Sequence, residues 1–304
     1  MSQDAPKKSS NAQSVPEAPQ KQALDSNEKR DARRREAPSA AVVYEAIRAE
    51  AESELSRPLL GLGWSALAAG LSMGFSLISQ ALLYSYTPDA QWTPIISSFG
   101  YSIGFLFVIL GRQQLFTENT LTPVLEVFRV KNLKVVINTL KLWIVVLLCN
   151  MVGVAIFAFA LSYFDVLDPK IDEALKTIST REYGHPFGTV FVRAIFAGWL
   201  VALMLWLLPF AESARVGVII LVSYVIGLAH FPHIIAGSVS ALYAVFNSSH
   251  SFSEFLTGFF TPTLLGNTIG GVMMVAAVNY AQVAYSSNNN GNGQKRNGKS
   301  GSER

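Results

Sequence analysis

The chain has 304 residues, half of them hydrophobic and 15% charged, with a net charge of +3. Soluble domains carry roughly 25% charged residues, so this chain is short of charge, and unevenly so. Met1–Pro58 holds ten basic and ten acidic residues, the 227 residues of Leu59–Tyr285 hold only ten of each, and the net +3 belongs to Ser286–Arg304. These figures exclude a soluble enzyme, an electrostatic nucleic-acid binder and, with Cys149 as the single cysteine, a disulfide-stapled secreted domain.

Residues 1–38 are rich in Ser, Gln, Pro, Lys and Glu and nearly lack large apolar side chains, which predicts a disordered tail. Its basic run, Lys29–Arg35, reads as a solvated segment that helps fix topology; contact with anionic lipid heads is the alternative. The start lacks the apolar stretch of a signal peptide, so none is expected. Residues 39–57 place Val42, Val43, Ala46, Ile47 and Ala51 at helical spacing among Glu45, Arg48, Glu50, Glu52 and Glu54. That pattern predicts an amphipathic interfacial helix, at the membrane surface or against the first span, with Pro58 as its stop.

Residues 59–285 hold six apolar segments: Leu59–Tyr86, Ile95–Val127, Val135–Phe164, Phe187–Phe210, Val216–Phe246 and Phe255–Tyr285. Each is long enough to cross a bilayer, which takes about 20 residues. Residues 286–304 form a second, basic, disordered tail. The loop after the second segment carries Arg129, Lys131 and Lys134, the loop after the fourth carries Arg215, and the loop after the first has neither Lys nor Arg. The basic excess lies on the side of both tails, which predicts cytoplasmic termini and an even number of spans.

The segments repeat. Leu147-Leu148-Cys149-Asn150-Met151-Val152-Gly153 in the third returns as Leu264-Leu265-Gly266-Asn267-Thr268-Ile269-Gly270 in the sixth, and Ala69-Gly70 of the first returns more weakly as Ala197-Gly198 of the fourth. Three spans per copy make the copies point in opposite directions, so the expected fold is all-α, six spans arranged as a 3+3 inverted repeat. The second segment is interrupted by the polar run Gly111–Thr120, and the fifth by Gly227–His233 with Pro232. Matching interruptions in inverted halves point to a transport site near the midplane. A bundle of this kind has the lipid bilayer as its solvent.

Leu115-Phe116-Thr117 in the second segment, Phe231-x-His233-x-Ile235-Ala236 in the fifth and the paired Asn-x-[VI]-Gly turns resemble the formate/nitrite transporter family over about Leu59–Tyr285. The run Arg112–Asn119 is similar to the family's divergent YfdC-like branch. The resemblance implies an aquaporin-like fold with helices 2 and 5 broken and one pore in each of five protomers. It implies passage of small monovalent anions such as formate or nitrite, often with a proton, and no cofactor. It makes His233 the pore histidine opposite Thr117, with Leu115, Phe116 and Val201 on the apolar part of the pathway. Departures are Pro232 for an acidic residue, Gly237 and Gly198 for asparagines, and Glu182, beside Arg181, for a basic residue at the start of span four.

The remaining candidates carry plainer roles beside functional ones. His233 lies 116 residues after Thr117, near the 117-residue offset between Asn150 and Asn267, which places the two at equivalent points of the halves. Thr117 has helix capping as its alternative and His233 a purely structural hydrogen bond. Arg112 and Glu118 form a charge filter or, preferably, an ion pair that holds the break. Arg193 is a displaced anion attractor or a snorkelling cation. Asn150 and Asn267, with Gly153 and Gly270, are read as structural turns that join helices at close approach. His230 and His233 alone do not make a metal site, and Asn247-Ser248-Ser249 is a chance glycosylation pattern. The reading is a channel or transporter for small weak-acid anions in a bacterial inner membrane, with a non-anion pore or a non-conducting scaffold as the alternatives. An intramembrane enzyme is disfavoured, because Gly237–Ala241 does not complete G-x-S-x-G.

Overall fold

The computed structural model describes residues 25, 40–211 and 213–277. Most of both predicted tails and the end of the sixth apolar segment lie outside the described residues. Every regular element among the described residues is helical.

Helix α1 (Ala40–Ser56) buries Val43, Ile47, Ala51 and Glu54 along one face. These positions recur every three or four residues, so they share one side of the helix. The face docks on α4 (Thr122–Val130) and the turn Leu208–Phe210, against Leu121, Val124, Leu125 and Ala202. The apolar face of the helix thus packs on the bundle through α4 and Leu208–Phe210.

Helices α2 (Leu59–Tyr86), α3 (Thr93–Leu110), α5 (Leu133–Tyr163) and the stretch Phe187–Phe210, whose α-helical part is α7 (Phe187–Leu207), are long and apolar enough to cross a membrane. On α5, Ile144, Leu148, Val152 and Ile156 form an exposed apolar stripe at a spacing of four residues. Such a stripe fits contact with lipid or a neighbouring subunit. Shorter elements follow: α6 (Pro169–Ser179) between α5 and α7, then α8 (Arg215–Leu228), α9 (Ala236–Phe246) and α10 (252–277). A capping box at Ser251 and Glu254 starts α10, which widens into π-type turns over Phe255–Phe260 and Gly270–Ala277.

Two helix pairs cross at backbone contact. A Cβ on Gly70 would lie 2.2 Å from the Asn150 carbonyl oxygen, and one on Gly153 2.4 Å from that of Leu67, which binds α2 to α5. A Cβ on Gly198 would lie 2.2 Å from the Asn267 oxygen, and one on Gly270 2.2 Å from that of Ile195, which binds α7 to α10. Only glycine permits this approach. Gly198, where the resemblance puts a pore asparagine, is therefore a packing position in this chain.

Candidate transport pathway

Helix α3 stops at Leu110 and the chain resumes helix at Glu118–Thr120 and α4; α8 stops at Leu228 and helix resumes at α9. The two stops share one geometry. Gln113 N donates to Val108 O (2.9 Å) and Arg112 N to Ile109 O (3.2 Å), while Phe231 N donates to Ile226 O (3.0 Å) and His230 N to Gly227 O (3.2 Å). This bond pattern is a Schellman motif, which needs a left-handed residue and usually takes glycine. Here Arg112 (φ 49°) and His230 (φ 50°) hold that position.

The two asparagines then fix the non-helical segments. Asn150 Oδ1 accepts from Phe116 N (2.9 Å), and its Nδ2 donates to Ala66 O (2.6 Å) and Gln114 O (2.9 Å). Asn267 Oδ1 accepts from Ile234 N (2.8 Å), and its Nδ2 donates to Ala194 O (2.8 Å) and Pro232 O (2.9 Å). Each buried amide thus satisfies three backbone groups that an interrupted helix leaves open. These carboxamides are fully engaged in holding the chain.

Where the two segments meet, Thr117 Oγ1 and His233 Nε2 lie 2.9 Å apart, both buried. His233 Nδ1 accepts from Ile235 N (3.3 Å) and Ala236 N (3.2 Å) at the start of α9. An imidazole whose Nδ1 accepts carries its proton on Nε2, so the histidine donates to the Thr117 hydroxyl. The Phe105 ring stands edge-on to His233, 5.0 Å between centroids. Phe105 was not singled out by sequence, since an aromatic in an apolar helix carries no distinguishing signal there. Leu115, Phe116 and Val201 are all buried in the same apolar core, and the Phe116 ring packs edge-on to Trp143.

Above the pair, a cavity of about 50 Å³ is lined by Ser97, Ser98 and Tyr101 of α3, Arg181, Glu182 and His185 before α7, Arg193 of α7 and the segment His230–His233. Arg193 Nη1 lies 3.2 Å from His185 Nε2, and the Arg181 guanidinium stands 5.4 Å from the Tyr84 ring centroid. The space suits a small ion with a few waters.

Below the pair, Glu54 of α1 reaches into the bundle. Its Oε1 accepts from Gln114 Nε2 (3.2 Å) and its Oε2 from Thr122 Oγ1 (2.7 Å). Gln114 Oε1 in turn accepts from Asn119 Nδ2 (3.0 Å), and Asn119 O accepts from Trp143 Nε1 (2.7 Å). Burial pushes the Glu54 carboxyl up to about 7, against the pull of its two hydrogen bonds. Sequence reasoning missed Glu54 because it counted the glutamates of α1 as its polar face. The ion pair expected between Arg112 and Glu118 is not formed: Arg112 is exposed at its left-handed turn, and Glu118 Oε1 is buried without a hydrogen bond. No group of three or more His, Cys, Asp or Glu side chains that could hold a metal occurs among the described residues.

The formate/nitrite transporter family model matches residues 41–281. The inner membrane protein YfdC of Escherichia coli is 39% identical over 244 residues, 80% of this chain and 79% of its own. A formate-nitrite transporter of Plasmodium ovale is 27% identical, covering 71% of each chain. Two solved structures share the fold: an FNT family ion channel (TM-score 0.70, 20% identity, 80% of this chain and 99% of its own) and a pentameric formate channel with formate bound (TM-score 0.62, 21% identity, 75% and 97%). The chain belongs to the formate/nitrite transporter family.

Proposed function

We propose that the protein is a homopentameric channel or transporter that passes small monovalent weak-acid anions across a bacterial inner membrane. Each protomer spans the membrane six times as a 3+3 inverted repeat, with both termini in the cytoplasm. Helix lengths support the span count. At 1.5 Å per residue, the 14 residues of α8 and the 11 of α9 reach only about 21 and 16 Å separately, but together they match the roughly 30 Å hydrocarbon core. Helix α3, at 18 residues about 27 Å, nearly spans the core by itself, and α4 continues the same interrupted segment. The glycine crossings and asparagine clasps found once in each half support the repeat. The pentamer is supported by the pentameric assembly of the formate channel that shares the fold.

The observation that carries the function is the His233–Thr117 contact at the meeting of the two interruptions. A small anion that enters this apolar constriction loses its hydration, at a cost of several kcal/mol. A neutral acid loses far less. His233 holds its proton on Nε2, toward Thr117, so the hydroxyl stands between the imidazole and a permeant. The pair supplies a hydrogen bond to the passing species. Leu115, Phe116 and Val201 exclude water around that point.

The test is flux into proteoliposomes across a panel of formate, acetate, nitrite, hydrosulfide, chloride and a neutral solute. His233→Phe, which keeps an aromatic and removes the N–H donor to Thr117, lowers weak-acid flux. His230→Asn is the control, because asparagine tolerates the left-handed backbone that His230 adopts. Equal effects of the two substitutions, or unchanged flux through folded His233→Phe pentamers, refute the assignment.

A further inference from the structure

Two departures from the family pattern meet at one point. A Cβ placed on Gly237, one turn after His233, would lie 3.4 Å from Glu182 Oε2. The same Cβ would lie 2.6 Å from the tip of the Phe259 ring, which takes the space the glycine leaves, while the Glu182 carboxyl, arriving from the connection before α7, stands at ordinary contact distance from the first turn of α9. That carboxyl also lines the cavity that ends at His233. It has no hydrogen bond and no ion pair among the described residues. The cavity's cations are engaged elsewhere: Arg193 with His185, and Arg181 over the Tyr84 ring.

A half-buried carboxylate in a cavity of this size, without a hydrogen-bond partner, is poorly solvated when ionised. It either keeps a proton or waits for a cation. The two guanidiniums in the same cavity disfavour a bound cation and favour an anion. With Glu182 neutral, they leave the cavity with net positive charge. With Glu182 ionised, a negative charge lines the same cavity and offsets one of the two guanidiniums. We propose that Glu182 is the charge switch of the outer vestibule, admitting anions to His233 when its carboxyl is protonated and repelling them when it is ionised. This rests on the anion reading above and adds a regulation to that same pathway.

Burial pushes the Glu182 carboxyl up to about 8. The titratable and charged groups that face it are Arg181, Arg193, His185, His230, His233 and Tyr101 along the cavity, and the adjacent Tyr183. Arg181 and Arg193 stay charged throughout. The switch therefore operates on the alkaline side of neutrality, with anions admitted below it.

The experiment uses full-length protein in proteoliposomes, with equal pH on both sides from 6.5 to 9 and formate and methylammonium as probes. Each protein is normalised to its own flux at pH 6.5, and pentamer integrity is checked by size. Formate flux of the wild type relative to Glu182→Gln falls about tenfold by pH 9, one unit above the switch, because the substrate's own titration cancels in the ratio. Glu182→Lys, with a fixed cation, shows no extra alkaline loss. Infrared difference spectra of the wild type, pH 6.5 against pH 9, show a protonated-carboxyl band that disappears with a midpoint near 8 and is absent from Glu182→Gln. A flat ratio, or no such band, overturns the switch and leaves anion transport standing. Absence of formate flux in wild type and Glu182→Lys alike overturns anion transport and the switch with it. Methylammonium flux that Glu182→Gln abolishes shows that the carboxylate serves a cation, and overturns both.

Discussion

Glu54 makes the docking of α1 depend on pH. Its carboxyl sits at about 7 when buried against Gln114 and Thr122, and at 4.5 when free. A carboxyl raised on docking binds its proton more tightly in the docked form. Docking is strongest where both forms are protonated, below about 4.5; it weakens as pH rises from 4.5 to 7 and is constant above. The 2.5-unit difference is about 3 kcal/mol, or about three hundredfold in the docking equilibrium. Glu50 on α1 adds to the shift and Arg57 opposes it. Burial of Val43 and Ile47 contributes about 4 kcal/mol toward docking at every pH. Hydrogen exchange of α1 amides, corrected for intrinsic rates, reads this directly. Protection in Ala40–Ser56 falls by more than tenfold between pH 5 and pH 7.5, and Glu54→Gln, which keeps an acceptor oxygen but cannot ionise, removes the trend. Equal protection at both pH values, or the same fall in Glu54→Gln, refutes the argument.

Gly270→Ala drives a methyl against the Ile195 carbonyl and lowers the thermal midpoint of the protein, at a cost of about 1–3 kcal/mol for overpacking. Gly61→Ala, where the added carbon meets nothing within 4 Å, is its control and leaves the midpoint unchanged or higher. Arg112→Gly relieves a left-handed arginine and is neutral or stabilising by up to about 1 kcal/mol in thermal melts; a clear loss shows that the guanidinium has a partner that the protomer alone does not reveal. For the orientation, an impermeant thiol reagent applied outside intact inner membranes labels a cysteine at Ala90 and not one at Asn292; labelling at Asn292 inverts the topology.

The helical, membrane-spanning character of the chain was legible because the bilayer imposes it residue by residue: no run as apolar as Leu133–Tyr163 has another solvent. Family membership was legible because several short motifs agreed. Features that depend on long-range contact were not. Helix α6 reads as a charged loop, since its buried Ile171, Ala174, Leu175 and Ile178 are separated by Asp, Glu and Lys. Glu54 looks like any other glutamate of α1 until α4 supplies Thr122. Gly237 and Glu182 each read as a lost polar group, and only their contact across 55 positions of sequence joins them into one feature.

The repeat register also differs from its sequence reading, and the difference bears on mechanism. The near match of 116 and 117 residues placed Thr117 and His233 at equivalent points. The bonds set another register: Phe116 N and Ile234 N, each held by its asparagine, are 118 apart, as are Gln114 O and Pro232 O. The left-handed residues Arg112 and His230 keep the same spacing. In this register His233 corresponds to Leu115, and Thr117 to Ile235. Each polar group of the central pair is therefore mirrored by an aliphatic one, and the proposed constriction offers a permeant one hydrogen-bonding side. A neutral hydrogen bond recovers about 1 kcal/mol, against the several kcal/mol an ion loses with its water. One such bond cannot carry a bare anion through an otherwise apolar passage. Under the proposed function, this favours a permeant that crosses as the neutral acid, and the test on His233 is therefore read in weak-acid flux.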